Sequence, residues 1–77
     1  MEKFKFKIEN EMHDWPSQFI TGAEVRGIPP GIPSNMDLFV KIKGKPGQLV
    51  ANDQKIDLEN QGLEKFYSQD SNSTPGA

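Results

Sequence analysis

Lysines alternate with large apolar side chains along residues 3–8, and this repeat of two restricts the local structure to a strand. Successive side chains of a β-strand point to opposite faces, so Phe4, Phe6 and Ile8 share one face. The lysines between them share the other face, where their charges stay in water. The segment therefore predicts a strand that buries one face of a sheet and leaves the other open.

Residues 36–43 contain the second clear alternation of apolar and polar side chains. One predicted face holds Met36, Leu38, Val40 and Ile42. The opposite face holds Asp37, Phe39, Lys41 and Lys43. A turn at residues 44–47, which contain glycine and proline, leads into a short strand at 48–51. A final strand is predicted over residues 63–68.

The region between the first two clear strands is polar at its start. Residues 10–14 predict a turn, followed by a shorter strand over residues 14–20. Pro16 lacks an amide hydrogen, so it must lie at an edge or a bulge of that strand. Further along, Ile56 and Leu58 are expected to be buried anchors within a loop.

A short helix is predicted after residue 20. Thr21 and Glu24 have the spacing of a capping box, and Ile20 and Val25 have the spacing of a hydrophobic staple. About two turns are expected before Gly27. The prolines that follow predict an extended, rigid connection.

These elements follow the order strand, strand, helix, strand, short strand, strand. That order is typical of an α+β fold of the β-grasp type, with a mixed four- to five-stranded sheet and one short helix packed across it. A small barrel without the helix is the alternative. We expect residues 1–69 to form the domain and residues 70–77 a flexible tail. The predicted core consists of Phe4, Phe6, Ile8, Ile20, Val25, Leu38, Val40, Ile42, Ile56 and Phe66.

Composition excludes several classes of function. The chain has 77 residues, no cysteine and one histidine, His13, which excludes thiolate chemistry and disfavours a metal site. A net charge of −2 disfavours nucleic-acid binding. Neither a bilayer-spanning run nor a signal peptide is visible, which indicates a cytoplasmic protein. Without a nucleophile, an acid–base pair or a cofactor motif, we expect no enzymatic activity, bound metal or cofactor.

Several short motifs carry a more specific resemblance. They are Phe4 to Asn10, Trp15-Pro16, Ile20 to Arg26, Gly27 to Pro30, Asp37 to Val40, Pro46-Gly47, Asp57-Leu58 and Lys65 to Tyr67. Together they resemble the bacterial multiubiquitin family of ubiquitin-like domains over residues 3–68. Members of that family often carry two or more such domains in tandem, whereas this sequence contains one.

The resemblance implies a protein modifier that is conjugated to target proteins through its C-terminus. The implied partners are a ubiquitin-activating-type enzyme, a conjugating-type enzyme, a JAB-type metallopeptidase and the targets. The terminus would be Gly76 after removal of Ala77, or Ala77 itself. Of the two, we favour processing to Gly76, because glycine permits close approach of the backbone to an adenylating site.

Three further residues are candidates for partner binding. Phe39 is on the outward face of its strand, and Tyr67 faces outward if Phe66 is buried. If the two strands pair as in a β-grasp, both aromatic rings share one sheet face with Lys41. Aromatic anchors dominate many interfaces, although isolated surface aromatics are also ordinary.

Two other classes of function remain open. A sulfur carrier with the same fold is activated as an adenylate and then as a thiocarboxylate, but it needs an exposed Gly-Gly end. A non-covalent binding module would use the Phe39 face and form no covalent bond.

Overall fold

The computed structural model describes residues 3–70. Its elements in chain order are β1 (Phe4–Ile8), β2 (Glu11–Trp15), β3 (Phe19–Thr21), α1 (Gly22–Arg26), β4 (Met36–Ile42), β5 (Gln48–Leu49), β6 (Lys55–Asp57) and β7 (Leu63–Asp70). Five strands form one mixed sheet in the order β2-β1-β7-β4-β5, and β3 pairs with β6 in a small second sheet. The fold is α+β and β-grasp-like, as predicted.

The central strand of the main sheet is the last one in the sequence. β7 runs parallel to β1, where Ile8 pairs with Phe66, and antiparallel to β4 over the full length of that strand. The β4–β7 register shifts between Lys41 and Ile42, at the end of β4. The two alternating segments and the final strand thus pair as the β-grasp prediction requires.

The core lies between the main sheet and a layer made of α1 and the β3–β6 sheet. Its buried members are Phe6, Ile20, Val25, Leu38, Val40, Val50, Ile56, Leu58 and Phe66. Phe4, Ile8 and Ile42 were predicted to be buried too, but they are only partly buried and pack against this cluster from its edges. Val50 is a core residue that the pattern did not predict.

Helix α1 is shorter than predicted, and it begins as predicted. The Thr21 hydroxyl accepts a hydrogen bond from the Glu24 amide at 3.2 Å, and the Glu24 carboxylate accepts one from the Thr21 amide at 2.9 Å. This capping box satisfies two amides at the start of the helix. Ile20 and Val25, the predicted staple residues, are both completely buried in the core. The helix ends after five residues, before Gly27.

In the first hairpin, the predicted boundaries of the turn and of the strand after it are both wrong. Residues 10–14 are not a turn, because β2 already begins at Glu11, directly opposite Ile8. Only residues 9 and 10 make the turn, and Glu9 has a φ of 56° in the left-handed region. The predicted strand over residues 14–20 is therefore two strands, β2 and β3, separated by a bend that contains Pro16.

The connection after α1 is folded back on itself and not extended as predicted. The Gly31 amide donates to the Ile28 carbonyl at 2.7 Å, and the Ile32 amide donates to the Arg26 carbonyl at 3.1 Å. The Pro29–Pro30 peptide bond is cis. The Arg26 guanidinium also donates to the carbonyl of Met36 at 2.7 Å, which fastens the connection to the start of β4.

Two further boundaries differ from the prediction. Ile56 lies in strand β6 and not in a loop, although it is buried as expected. β7 continues through Asp70, where Gln69 pairs with Asp37 and Asp70 pairs with Met36. The rest of the predicted tail, residues 71–77, lies outside the described part of the chain. Within residues 3–70, no helix has the length and apolarity needed to cross a membrane.

Candidate functional site

The open face of the main sheet carries the predicted partner-binding residues. Alternation along β4 turns Leu38 and Val40 into the core and leaves Phe39 half-buried on the opposite side. Alternation along β7 does the same with Phe66, which is fully buried, and Tyr67, which is half-buried. The side of the sheet away from the helix is therefore built from the outward members of these strands.

Phe39 and Tyr67 form a stacked pair at the centre of this face. They stand directly opposite each other in the β4–β7 ladder. Their ring centroids are 5.4 Å apart and their planes differ by 16°. Such pairs contribute about 0.5–1.5 kcal/mol beyond the area they bury, so each ring holds the other in place. The prediction that both rings share one face is confirmed.

Leu49 extends the aromatic pair to the edge of the sheet. It pairs with Phe39 from the other side, on β5, and 60% of its surface is exposed. Leu49, Phe39 and Tyr67 therefore form one apolar row across three adjacent strands, which we call the open-face row. Alternation in the sequence does not single out Leu49, although its place after a tight turn, opposite Phe39, is a usable signal.

Lys65 places a cation beside the open-face row. Its Nζ lies 5.8 Å from the centroid of the Tyr67 ring, within the range of a cation–π contact. Lys41, the predicted rim residue, instead donates from its Nζ to the carbonyl of Lys45 in the turn after β4. It shares the face with the row and lies opposite Lys65, but its ammonium is held at the turn.

A glycine gives Tyr67 its place on this face. A Cβ at Gly47 would overlap the Tyr67 hydroxyl and crowd the adjoining ring carbon. The turn between β4 and β5 therefore needs glycine at this position for the phenol to lie against the backbone.

The predicted conjugation residues, Gly76 and Ala77, lie outside the described residues. The last described residue before them is Asp70, at the end of β7, where it pairs with Met36 of β4. No cluster of three or more histidine, aspartate or glutamate side chains suited to a metal occurs within residues 3–70.

Comparison of the chain with protein-family models, with curated proteins and with solved structures finds no match in any of the three. The resemblance to bacterial multiubiquitin domains therefore stays a prediction, and the fold itself rests on the strand order and register described above.

Proposed function

We propose that the chain is a bacterial ubiquitin-like protein modifier, activated at its C-terminus with ATP and conjugated to target proteins. The observation that carries the proposal is the position of β7, the last described element, at the centre of the sheet between β1 and β4. The parallel pairing of β7 with β1 belongs to the arrangement expected of a ubiquitin-like domain.

In this proposal the folded domain and the C-terminal residues that an enzyme must reach are separate parts of the chain. β7 ends at Asp70, and a chain of seven residues, the length of the segment 71–77, spans at most about 24 Å when fully stretched. An activating enzyme can therefore hold the folded domain on one surface while the terminal carboxylate enters a separate adenylating site.

The proposed chemistry belongs to the partner enzymes. The carboxylate of Gly76, after a JAB-type metallopeptidase removes Ala77, attacks the α-phosphorus of ATP and pyrophosphate leaves. A cysteine thiolate of the activating-type enzyme then displaces AMP, and the thioester passes to a conjugating-type enzyme. Attack by a target amine forms the amide bond and releases the thiol. The modifier supplies the carboxylate and the docking surface, and we place this sequence of steps in the cytoplasm, where ATP is available.

A second candidate function is a non-covalent binding module. The observation that favours it is the open-face row, an apolar strip that runs from half-buried Tyr67 to exposed Leu49 without a covering element among residues 3–70. A module of this kind would bind its partner through Phe39 and Tyr67 and would need no residue beyond Asp70.

Mass spectrometry of the protein isolated from its own host tests the proposal. Lys65 is the last lysine or arginine in the sequence, so trypsin leaves residues 66–76 or 66–77 as the branch on a modified target. We expect a branch that ends at Gly76. A branch that ends at Ala77 would retain the modifier and exclude processing, and a thiocarboxylate end would indicate a sulfur carrier.

A pair of variants separates the modifier from the binding module. Deletion of residues 71–77 leaves every described strand intact, whereas deletion from residue 70 would remove the Asp70–Met36 pair. We expect this deletion to abolish conjugates that form with ATP in host lysate. Phe39→Ala in the full chain is the matched variant with an intact terminus. Partner capture that survives the deletion, is lost with Phe39→Ala and never becomes covalent would favour the module.

A further inference from the structure

A cavity of about 380 Å³ opens at the end of the sheet where β1 turns into β2. One of its walls is the hairpin, with Ile8, Glu9 and Glu11. The other wall is the connection after α1, residues 28–32. Ser68 of β7 closes the cavity between them. This place is distinct from the open-face row, because Ile8 and Glu11 are opposite each other on the core side of the sheet.

The interior of the cavity is mainly apolar. Ile8, Ile28 and Ile32 line it, and all three are partly buried and pack against the core. Pro29 and Pro30 complete the wall opposite the hairpin. These side chains are held in position by the fold on one side and remain accessible from the cavity on the other.

The rim of the cavity is acidic. One oxygen of Glu9, Oε2, accepts hydrogen bonds from the amide of Ser68 at 3.0 Å and from its hydroxyl at 3.2 Å. Those bonds fix the side chain, and Oε1 of the same carboxylate makes no hydrogen bond within residues 3–70. Glu11 is largely exposed, and its Oε1 lies 3.9 Å from Nε2 of His13.

Among residues 3–70, His13 is the one side chain lining the cavity that can carry a positive charge, and it lies beside Glu11. The lining residues include Glu9, Glu11 and His13 and contain neither lysine nor arginine. Arg26, at the base of the connection, directs its guanidinium to the carbonyls of Pro33 and Met36 and does not line the cavity. The cavity thus combines an apolar interior with two carboxylates at its mouth.

We propose that this cavity binds a lysine or arginine side chain presented by a peptide segment of a partner protein. Such side chains bury an aliphatic stem on apolar surface while the charged head remains at the rim. The stem would contact Ile8 and Ile28, and the ammonium or guanidinium would donate charge-assisted hydrogen bonds to the carboxylates of Glu9 and Glu11. Glu9 is the better-positioned acceptor, because Ser68 already holds its carboxylate.

The proposal goes beyond conjugation and does not depend on it. It concerns a different surface from the open-face row, and it needs neither Gly76 nor Ala77. It adds one geometric consequence, since Ser68 lies two residues before the end of β7 at Asp70. A partner in the cavity would therefore lie close to the end of β7.

Titration of the ¹⁵N-labelled 77-residue chain with three short capped peptides tests the inference. The peptides share leucines around one central residue, which is lysine, norleucine or glutamate. We expect the lysine peptide to shift the amide resonances of Glu9, Glu11, His13 and Gly31, with a dissociation constant on the order of millimolar. The norleucine peptide should bind about fivefold more weakly, which is the fold-change expected for two exposed charge contacts.

Charge-removing variants assign that difference to the rim. The Glu9→Gln, Glu11→Gln double variant should bind the lysine peptide about fivefold more weakly and the norleucine peptide unchanged. Glutamine at position 9 retains an oxygen for the Ser68 bonds, and the dispersion of the free spectrum reports whether the variant is folded. The matched control is Glu59→Gln, Glu64→Gln, which removes the same charge from exposed positions away from this cavity.

Three results would overturn the proposal. The lysine and norleucine peptides could bind equally, or the control variant could weaken binding as much as the rim variant. The third is that no peptide shifts the cavity resonances while deletion of residues 71–77 does. That result would assign the cavity to the terminus of this chain.

Discussion

Two aromatic pairs, each with one member on β7, lie on opposite sides of the main sheet, and their surroundings differ. Phe66, on the inner side, is fully buried and meets Phe6 edge to face, with centroids 5.7 Å apart and an interplanar angle of 88°. Tyr67, the next residue, stacks on Phe39 with planes only 16° apart and remains half-exposed. One ladder therefore supports a core on one side and presents a rigid apolar surface on the other.

Two glycines, one on each side of the sheet, show the same difference between a fixed interior and an adjustable surface. Each lets another group lie closer to the backbone than a Cβ would allow. A Cβ at Gly22 would overlap the carbonyl oxygen of Ala51, which belongs to the backbone packed against the start of α1. A Cβ at Gly47 would overlap the hydroxyl of Tyr67, the free end of a side chain. On the inner side the obstruction is fixed backbone. On the open face it is a group that can be removed by substitution.

The largest expected effect tests the difference between the two sides of the ladder. Phe66→Ala should reduce the free energy of unfolding by about 3–5 kcal/mol, because it removes a fully buried ring and leaves a cavity. Tyr67→Ala, one residue away, should cost about 1 kcal/mol, because the ring is half-exposed and loses mainly its stacking on Phe39. Urea denaturation followed by Trp15 fluorescence measures both. If both variants lose the same free energy of unfolding, the side chains of the open face stabilise the fold as much as the core does.

The glycines provide the next test. Gly22→Ala should cost about 1–3 kcal/mol despite the better helix propensity of alanine, because the obstructing Ala51 carbonyl is backbone and also accepts a hydrogen bond from the Gln54 amide. Gly47→Ala should cost about 1 kcal/mol, because Tyr67 has to leave its position on the turn.

A second substitution distinguishes the two cases. Gly47→Ala should have almost no effect on the unfolding free energy in a Tyr67→Ala background, whereas Gly22→Ala should cost the same in either background. A full penalty for Gly47→Ala without Tyr67 would show that the turn backbone itself excludes alanine.

The parts of the fold that the sequence predicts are those with long alternating patterns or paired caps. β1, β4 and β7 are five to eight residues long, and their buried residues all lie on the face that alternation of residue type predicts. The Thr21–Glu24 box is equally local. The face shared by Phe39 and Tyr67 follows once β4 and β7 are paired.

The missed elements depend on contacts between distant residues. β3 and β6 have three residues each, too few to show a period, and they are strands because Ile20 pairs with Ile56. β2 is polar in sequence because it is an edge strand. Its inner residue His13 is placed against the Phe6 ring, 5.8 Å between centroids. The polar composition of residues 10–14 indicates a turn, but Glu11–Trp15 form a strand because they pair with β1.

The candidate site was only partly predictable for a similar reason. Phe39 and Tyr67 follow from alternation, but the position of a lysine ammonium depends on which acceptors lie within reach. Lys41 finds backbone carbonyls in the turn after β4, and Lys65 instead approaches the Tyr67 ring. Both strands carry an outward lysine in sequence, so the pattern alone does not choose between them.

The capping box provides a smaller test, in the layer that covers the inner side. Thr21→Ala should lower the free energy of unfolding by about 1 kcal/mol, because the Glu24 amide loses its acceptor at the start of α1. Ser17→Ala, in the exposed bend before β3, is the control and should change stability by less than about 0.5 kcal/mol. Similar values for both variants would show that the Thr21 cap contributes little to stability.

The smallest expected effect concerns Lys65, where two contributions oppose each other. Its contact with the Tyr67 ring is favourable by about 0.5–1 kcal/mol at an exposed site, whereas the cross-strand position opposite Lys41 is unfavourable by a similar amount. Lys65→Gln should therefore change the free energy of unfolding by less than about 0.5 kcal/mol.

Double-mutant cycles separate the two contributions. Coupling of Lys65→Gln to Tyr67→Leu should be favourable in the wild type, and coupling to Lys41→Gln should have the opposite sign. If Lys65→Gln alone lowers the free energy of unfolding by more than about 1 kcal/mol, Lys65 stabilises the fold and is not only a surface charge. If the two couplings cancel, stability places no demand on a cation beside the open-face row. If a partner then binds the Lys65→Gln variant more weakly, the positive charge of Lys65 acts in partner binding and not in folding stability.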